Sequence, residues 1–314
     1  MTKLIPFVGR ITPREREECL QALNAHLSSV QVVPLAEMDA AACTQAELAV
    51  VANPDPTELA TLPNLKWVQS LWAGVEKLVA ELPGEHIQIV RMTDPQLAET
   101  MSEAVLAWTL YLHRDMPAYR RQQVEKNWHQ RPLKLPSQRP VGILGLGKLG
   151  RASARKLSAN GFPVLGWSRN PTEAENVQTF SGEGGLAEIL RRSAILVILL
   201  PLTPETRGLM DDERFSQLPA ESAIINFARG PIVQTEALLR TLDRQHLGHA
   251  VLDVFDTEPL PASSPLWSHP DITVLPHISA PTQTETASRV AAENIQNYFE
   301  TGVIPPSVDR SVGY

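Results

Sequence analysis

Short apolar runs that stop at glycine, proline or polar residues recur along the whole chain. The first series is "LIPFVG" (4–9), "VQVVPL" (30–35), "ELAVVANP" (47–54), "LKWVQSLWAG" (65–74) and "IQIVRM" (87–92). A second series follows: "PVGILGLG" (140–147), "FPVLGWSR" (162–169), "SAILVILLP" (193–201), "SAIINFARG" (222–230), "HAVLDVF" (249–255) and "ITVLPH" (272–277). Helical patterns lie between many of them, clearest at 13–27 and 235–245, and a long one at 99–123 separates the two series. A strand that is apolar at nearly every position has to be covered on both faces, which parallel sheets flanked by helices achieve. The expected fold class is therefore α/β, with two doubly wound parallel sheets. The expected domains are 1–98 plus 282–314, and 99–281, the last helix (282–302) being placed to return to the first unit. A chain of 314 residues is long enough for two such cores.

Composition narrows the partners. Hydrophobic residues make up 43% and charged ones 20%, a normal globular balance. A net charge of −7 provides no field that would hold a polyanion, so no nucleic acid is expected. The two cysteines, Cys19 and Cys43, do not make a disulfide framework and fit a reducing compartment. The start, "MTKLIPFVGRITPRERE", breaks into charge too early for a signal peptide, and no run of about 18 apolar residues occurs. A cytoplasmic protein is expected, with no membrane span and no metal.

Within "GILGLGKLGR" (142–151), Gly145, Gly147 and Gly150 have the spacing G-x-G-x-x-G. Alone this pattern is weak, but here it follows a predicted strand and opens a predicted helix, the context that a dinucleotide site needs. Gly145 allows the tight turn, Gly147 lets a pyrophosphate approach the backbone, and Gly150 lets helix and strand pack closely. An NAD site usually adds an acid about 20 residues later for the ribose 2′-hydroxyl. Here the second strand ends "GWSRN", with Ser168 near the acid's place and Arg169 after it. A guanidinium suits a 2′-phosphate, so NADPH is expected in preference to NADH, which stays possible.

Three further strand ends carry reactive groups. "INFARGPIV" places Arg229, "LDVFDTEPLP" places Asp253 and Glu258, and "VLPHIS" places His277, each just beyond an apolar run. Open parallel sheets bind ligands at those ends. An arginine that clamps a carboxylate, a histidine that moves a proton and a carboxylate that orients the histidine form one coherent set.

The motifs "GILGLGKLG", "LLPLTPETRGLM", "INFARG", "LDVFDTEPLP" and "SPLWSHPDITVLPH" together resemble, in order and spacing, those of the D-isomer-specific 2-hydroxyacid dehydrogenases. The resemblance covers essentially the whole chain. "LWAGVEKL" (71–78), "SEAVLAWTL" and the tail "VDRSVGY" are most similar to the branch that reduces glyoxylate and hydroxypyruvate. It implies two Rossmann-like domains, the cofactor domain inserted in the substrate domain, and a homodimer. It also implies that Arg229, Glu258 and His277 are catalytic. Trp72, Ala73, Gly74 and Val75 would form the loop whose N–H groups bind the substrate carboxylate, with Arg229 on the same substrate. Asp253 would contact the nicotinamide carboxamide, and Pro201, Leu202 and Thr206 would line the nucleotide groove. The backbone at Lys148 and Leu149 would meet the pyrophosphate. Many relatives carry aspartate where this loop has Glu76, a departure at the pocket rim.

The reaction so implied is reduction of a short 2-oxo acid with hydride from NADPH, protonated by His277. The alternative is a dinucleotide-sensing binding protein of the same fold, like the family's corepressors; those carry extra tails, which this sequence lacks. A phosphoglycerate dehydrogenase is less favoured, since no regulatory domain follows and no acid marks NAD.

Overall fold

The computed structural model describes residues 3–82, 84 and 86–310. The chain divides into two compact units, Met1–Gln96 with Thr282–Tyr314, and Leu97–Pro281. The first begins β1 (Lys3–Gly9), α1 (Pro13–Ala25), β2 (Val30–Pro34), α2 (Ala40–Gln45) and β3 (Leu48–Ala52). It continues with α3 (Pro56–Leu59), β4 (Trp67–Ser70), α4 (Glu76–Glu81) and β5 (Gln88–Val90). Next come α5 (Pro95–His113), α6 (Met116–Glu125), β6 (Val141–Leu144), α7 (Lys148–Ala159), β7 (Val164–Ser168) and β8 (Gln178–Ser181). The second unit closes with α8 (Gly182–Arg192), β9 (Ile195–Ile198), α9 (Asp212–Ser216), β10 (Ser222–Asn226), α10 (Thr235–Asp243), β11 (Leu247–Leu252) and β12 (Ile272–Val274). Finally α11 (Thr284–Thr301) belongs to the first unit.

Both sheets are parallel throughout, in the orders β2-β1-β3-β4-β5 and β12-β11-β10-β9-β6-β7-β8. Every residue of β3, β6, β9 and β10 is buried, as strands covered on both faces must be. In the first unit one face packs under α1 and α11, with Cys19, Leu23, Ala287, Ala291 and Ile295 against Ile5, Val50 and Trp67. In the second, Met101 and Val105 of α5 join Ala154 and Leu157 of α7 over Ile143, Val197 and Ile225. Leu144 pairs with Trp167 on one side and Ile198 on the other, so the turn after β6 leaves the sheet between the ends of β7 and β9. Strand order reverses there, which is where such sheets bind ligands.

Three expectations need correction. The helix expected over 99–123 is two helices, because Asp115 takes a left-handed φ of 54° and Pro117 follows it. Strand β8 was not expected, since "QTFS" is an edge strand with no buried residue and carries no apolar signal. The apolar run 65–74 supplies only Trp67–Ser70 to the sheet, and the rest is loop. Ser311 to Tyr314 of the tail motif lie outside the described residues. Among the described residues no helix is long and apolar enough to cross a membrane.

His249, on β11, gives the fold a pH signature. It is 5% exposed, its Nε2 pairs with the Thr273 hydroxyl at 2.9 Å, and its Nδ1 has no partner. Burial, with Arg121 and His269 adding repulsion, pushes its pKa down from 6.5 to about 4. The folded state therefore holds a neutral ring where the unfolded chain takes up a proton. Above about pH 6.5 this costs nothing, and between about 6.5 and 4 stability falls with pH, by about 3 kcal/mol in all. Urea midpoints measured across that window should drop with pH in the wild type and drop less steeply in His249→Phe.

Candidate active site

The cofactor turn begins where β6 ends. Gly145 has φ +106° and donates its N–H to the Trp167 carbonyl at 2.8 Å, a conformation that side chains disfavour. A Cβ on Gly150 would lie 1.8 Å from the Gly145 carbonyl oxygen, so the first turn of α7 packs directly on the strand end. A Cβ on Gly147 would meet nothing within 4 Å, so the backbone here is open to approach. Lys148 and Leu149 are the first two residues of the twelve-residue α7, whose N–H groups and dipole favour an anion. This cradle fits a pyrophosphate.

Ser168 ends β7, and its hydroxyl donates to the Asn170 carbonyl at 2.7 Å. Arg169 follows and reaches Glu205 at 3.4 Å. Beyond β9, the Thr206 hydroxyl donates to the Pro201 carbonyl at 2.7 Å and accepts from the Thr203 N–H at 2.8 Å. Thr206 is therefore a buried brace of the loop that also carries Leu202. The Glu205 carboxyl is held below the usual carboxylate range, first by the Thr203 hydroxyl, then by a backbone N–H and the Arg169 charge.

The strand ends β10, β11 and β12 meet through a connected set of bonds. Asn226, 1% exposed, donates from Nδ2 to the Arg229 carbonyl at 3.0 Å and accepts the Ala228 N–H at 3.2 Å. Its carbonyl accepts the Asp253 N–H at 3.1 Å. Gly230 lies so close to the next loop that a Cβ would sit 2.0 Å from the Phe255 carbonyl carbon. The Phe255 N–H donates to Glu258 Oε1 at 2.9 Å, and Glu258 Oε2 pairs with His277 Nδ1 at 2.7 Å. His277 itself takes a left-handed φ of 55°. Asp253, 2% exposed, holds that turn: one carboxylate oxygen accepts the Ile278 N–H at 2.7 Å and the other the Ser279 N–H at 2.9 Å. Glu258 and His277 thus form a bonded pair, with Nε2 the ring nitrogen not engaged by Glu258, and the Arg229 turn is joined to their loop through the Gly230–Phe255 backbone approach.

Trp72, Ala73, Gly74 and Val75 lie in the first unit, in the loop between β4 and α4. The Ser70 hydroxyl holds its start, accepting the Trp72 N–H and donating to the Trp72 carbonyl, both at 3.0 Å. Sequence reasoning missed Asn226, Gly230, Ser70 and Glu205. A polar residue closing an apolar strand, as in "SAIIN", is the signal that marks Asn226. Glu205 carries no signal of its own.

The Gly230 contact yields a test. Gly230→Ala has to separate the Arg229 turn from the Phe255 backbone, costing about 1–3 kcal/mol of stability as overpacking does. A displacement of this kind moves the Arg229 turn and Glu258 together, so an activity that depends on both is expected to fall on the order of 10²-fold. Steady-state kinetics alongside thermal melts of the variant measure both.

Comparison with known proteins agrees with this geometry. A family model described as "D-isomer specific 2-hydroxyacid dehydrogenase, NAD binding domain" matches residues 106–279. Glyoxylate/hydroxypyruvate reductase A of Serratia proteamaculans (strain 568) is 37% identical over 308 residues, covering 95% of this chain and 96% of the relative. A D-isomer specific 2-hydroxyacid dehydrogenase from Xanthobacter autotrophicus Py2, solved in complex with NADPH and MES, is 37% identical with a TM-score of 0.92, covering 100% of both chains. The NADPH-dependent glyoxylate/hydroxypyruvate reductase of Sinorhizobium meliloti, solved with NADP and sulfate, is 33% identical with a TM-score of 0.86, covering 99% of this chain and 100% of that one. A glycine turn that fits a pyrophosphate, a histidine–glutamate pair, and matches that run nearly end to end converge: this chain belongs to the D-isomer specific 2-hydroxyacid dehydrogenase family.

Proposed function

We propose that the protein is an NADP-dependent reductase of short 2-oxo acids, glyoxylate and hydroxypyruvate foremost. The observation that carries the reading is the 2.7 Å pair between Glu258 and His277 Nδ1, in loops that leave the same sheet edge as the glycine turn and the Arg229 loop. When bound, the dihydronicotinamide supplies a hydride equivalent for the substrate C2. Gly145, Gly147, Gly150 and the backbone at Lys148 and Leu149 hold the pyrophosphate, and Arg169 takes the 2′-phosphate. Pro201 and Leu202 line the nucleotide groove. Names of relatives support both choices, since those of the Sinorhizobium and Xanthobacter structures specify NADP or NADPH.

The chain's own groups do the remaining work. Arg229 presents a planar fork that binds the substrate carboxylate and polarises the adjacent carbonyl. The Trp72 to Val75 loop of the first unit is proposed to offer its backbone N–H groups to a substrate carboxylate. With Nδ1 engaged by Glu258, His277 donates its proton from Nε2 to the oxygen of the reduced carbon. The Glu258 carboxylate is the counter-ion of the protonated ring. Asp253, fixed by two backbone N–H groups, keeps His277 in its left-handed turn and is proposed to face the nicotinamide carboxamide as well.

Oxidation of the reduced cofactor, followed optically with glyoxylate and hydroxypyruvate, tests the reading directly. Turnover is expected with both, and a protein that binds cofactor without turning over either acid is instead a sensor. Arg229→Lys keeps the charge but loses the fork, and should lower kcat/KM on the order of 10²-fold.

We further propose that the protein acts as a homodimer in the cytoplasm. Val124 (80% exposed) near the end of α6, and Trp128 (96%) and Leu133 (72%) in the polar segment after it, are exposed apolar side chains that a second copy would cover. Cys19 and Cys43 are both free thiols, in keeping with a reducing compartment. Sedimentation equilibrium should give twice the 34.6 kDa chain mass, and Trp128→Asp should shift it towards one.

A further inference from the structure

Arg169 does not stand alone at the adenosine end of the cofactor turn. The loop after β7 carries Arg169 and the loop after β9 carries Glu205, and these two strands flank β6, whose turn holds the glycines. Arg169 Nη2 donates to Glu205 Oε2 at 3.4 Å, and the Thr203 hydroxyl donates to the same oxygen at 2.7 Å. The Arg169 and Glu205 side chains are 42% and 67% exposed. The pair therefore joins the loops on either side of the glycine turn, with the carboxylate anchored by its own loop and the guanidinium the partner that has to choose.

We propose that Glu205 is a specificity-determining residue that competes with the cofactor 2′-phosphate for the Arg169 guanidinium. The inference rests on the reading that Arg169 receives that phosphate. A 2′-phosphate carries close to two negative charges and three acceptor oxygens, so it outbids one carboxylate for a guanidinium. An exposed ion pair resists displacement by a factor of about five at most. Glu205 stays tied to Thr203 when Arg169 leaves, so its charge remains near the incoming phosphate and opposes it through solvent. Both effects weaken the phosphorylated cofactor in either redox state and leave NADH, which has no phosphate to exchange, nearly untouched. Glu205 thereby moderates NADPH and NADP retention, so that a site selective for the phosphate still releases it.

Glu205→Gln keeps the side-chain shape and an acceptor for Thr203 but removes the charge. Calorimetric titration of NADPH, NADP and NADH into wild type, Glu205→Gln, Arg169→Ala and the double variant reads binding without turnover. Glu205→Gln should bind NADPH and NADP about three- to tenfold more tightly, with NADH within about twofold of wild type. In the Arg169→Ala background the same change should tighten NADPH by a clearly smaller factor, because the contested group is gone and only the repulsion through solvent remains. Unchanged or weaker NADPH binding in Glu205→Gln overturns the proposal, and so does an equal gain when Arg169 is absent. An Arg169→Ala protein that keeps its full preference for NADPH over NADH overturns the underlying cofactor reading instead. Both side chains are exposed, so unaltered melting curves certify that every variant is folded.

Discussion

A parallel sheet delivers all its strand ends to one edge, and the placement of every proposed site residue of the second unit follows from that constraint. The glycine turn after β6, Arg169 after β7, Glu205 after β9, Arg229 after β10, Asp253 and Glu258 after β11, and His277 after β12 all emerge from the same edge. Strands buried on both faces leave room for few polar side chains, each needing a partner, so most of the polar groups stand in the loops just beyond. The sheet fixes where each loop starts, and local bonds decide where it goes. Residues from 145 to 277 are thus collected without any one segment carrying the site.

Those local bonds form a single chain of dependence. Asn226 fixes the backbone of the Arg229 turn and, through its carbonyl, the start of the loop after β11. Gly230 brings that turn against Phe255, whose N–H orients Glu258, which in turn orients His277. Asp253 secures the far side of His277. A left-handed histidine is unfavourable in isolation, and its turn persists because the surroundings determine it from both directions.

The alternating apolar runs were enough to read the parallel sheets and their division, since burial on both faces writes itself directly into composition. The glycine spacing and the positions of the polar residues beyond the strand ends are legible for the same reason: each sits at a fixed offset from an apolar run. What escaped was set by relations between segments. Strand β8 is a half-exposed edge with nothing in its sequence to distinguish it from loop. The break at Asp115 depends on one left-handed residue inside an otherwise continuous helical pattern. Glu205 gains its meaning from Arg169, 36 residues earlier, and a loop carboxylate next to proline offers no hint of that partner. Thr206, expected along the groove, also braces its own loop, a role visible only once its hydroxyl is seen bonded to Pro201.

The donors that hold Glu258 and Asp253 are the main-chain amides of Phe255, Ile278 and Ser279. Main-chain amides are supplied by any residue except proline, so these three positions are chemically interchangeable as far as the network is concerned. Mutational drift can rewrite their side chains, and with them the shape and polarity of the surrounding wall, while the proton-handling pair keeps its geometry. Only the acceptors, the glycine of close approach and the asparagine tie are bound to one residue type. The architecture thus separates the positions whose residue type holds this network from those whose side chains are free to change.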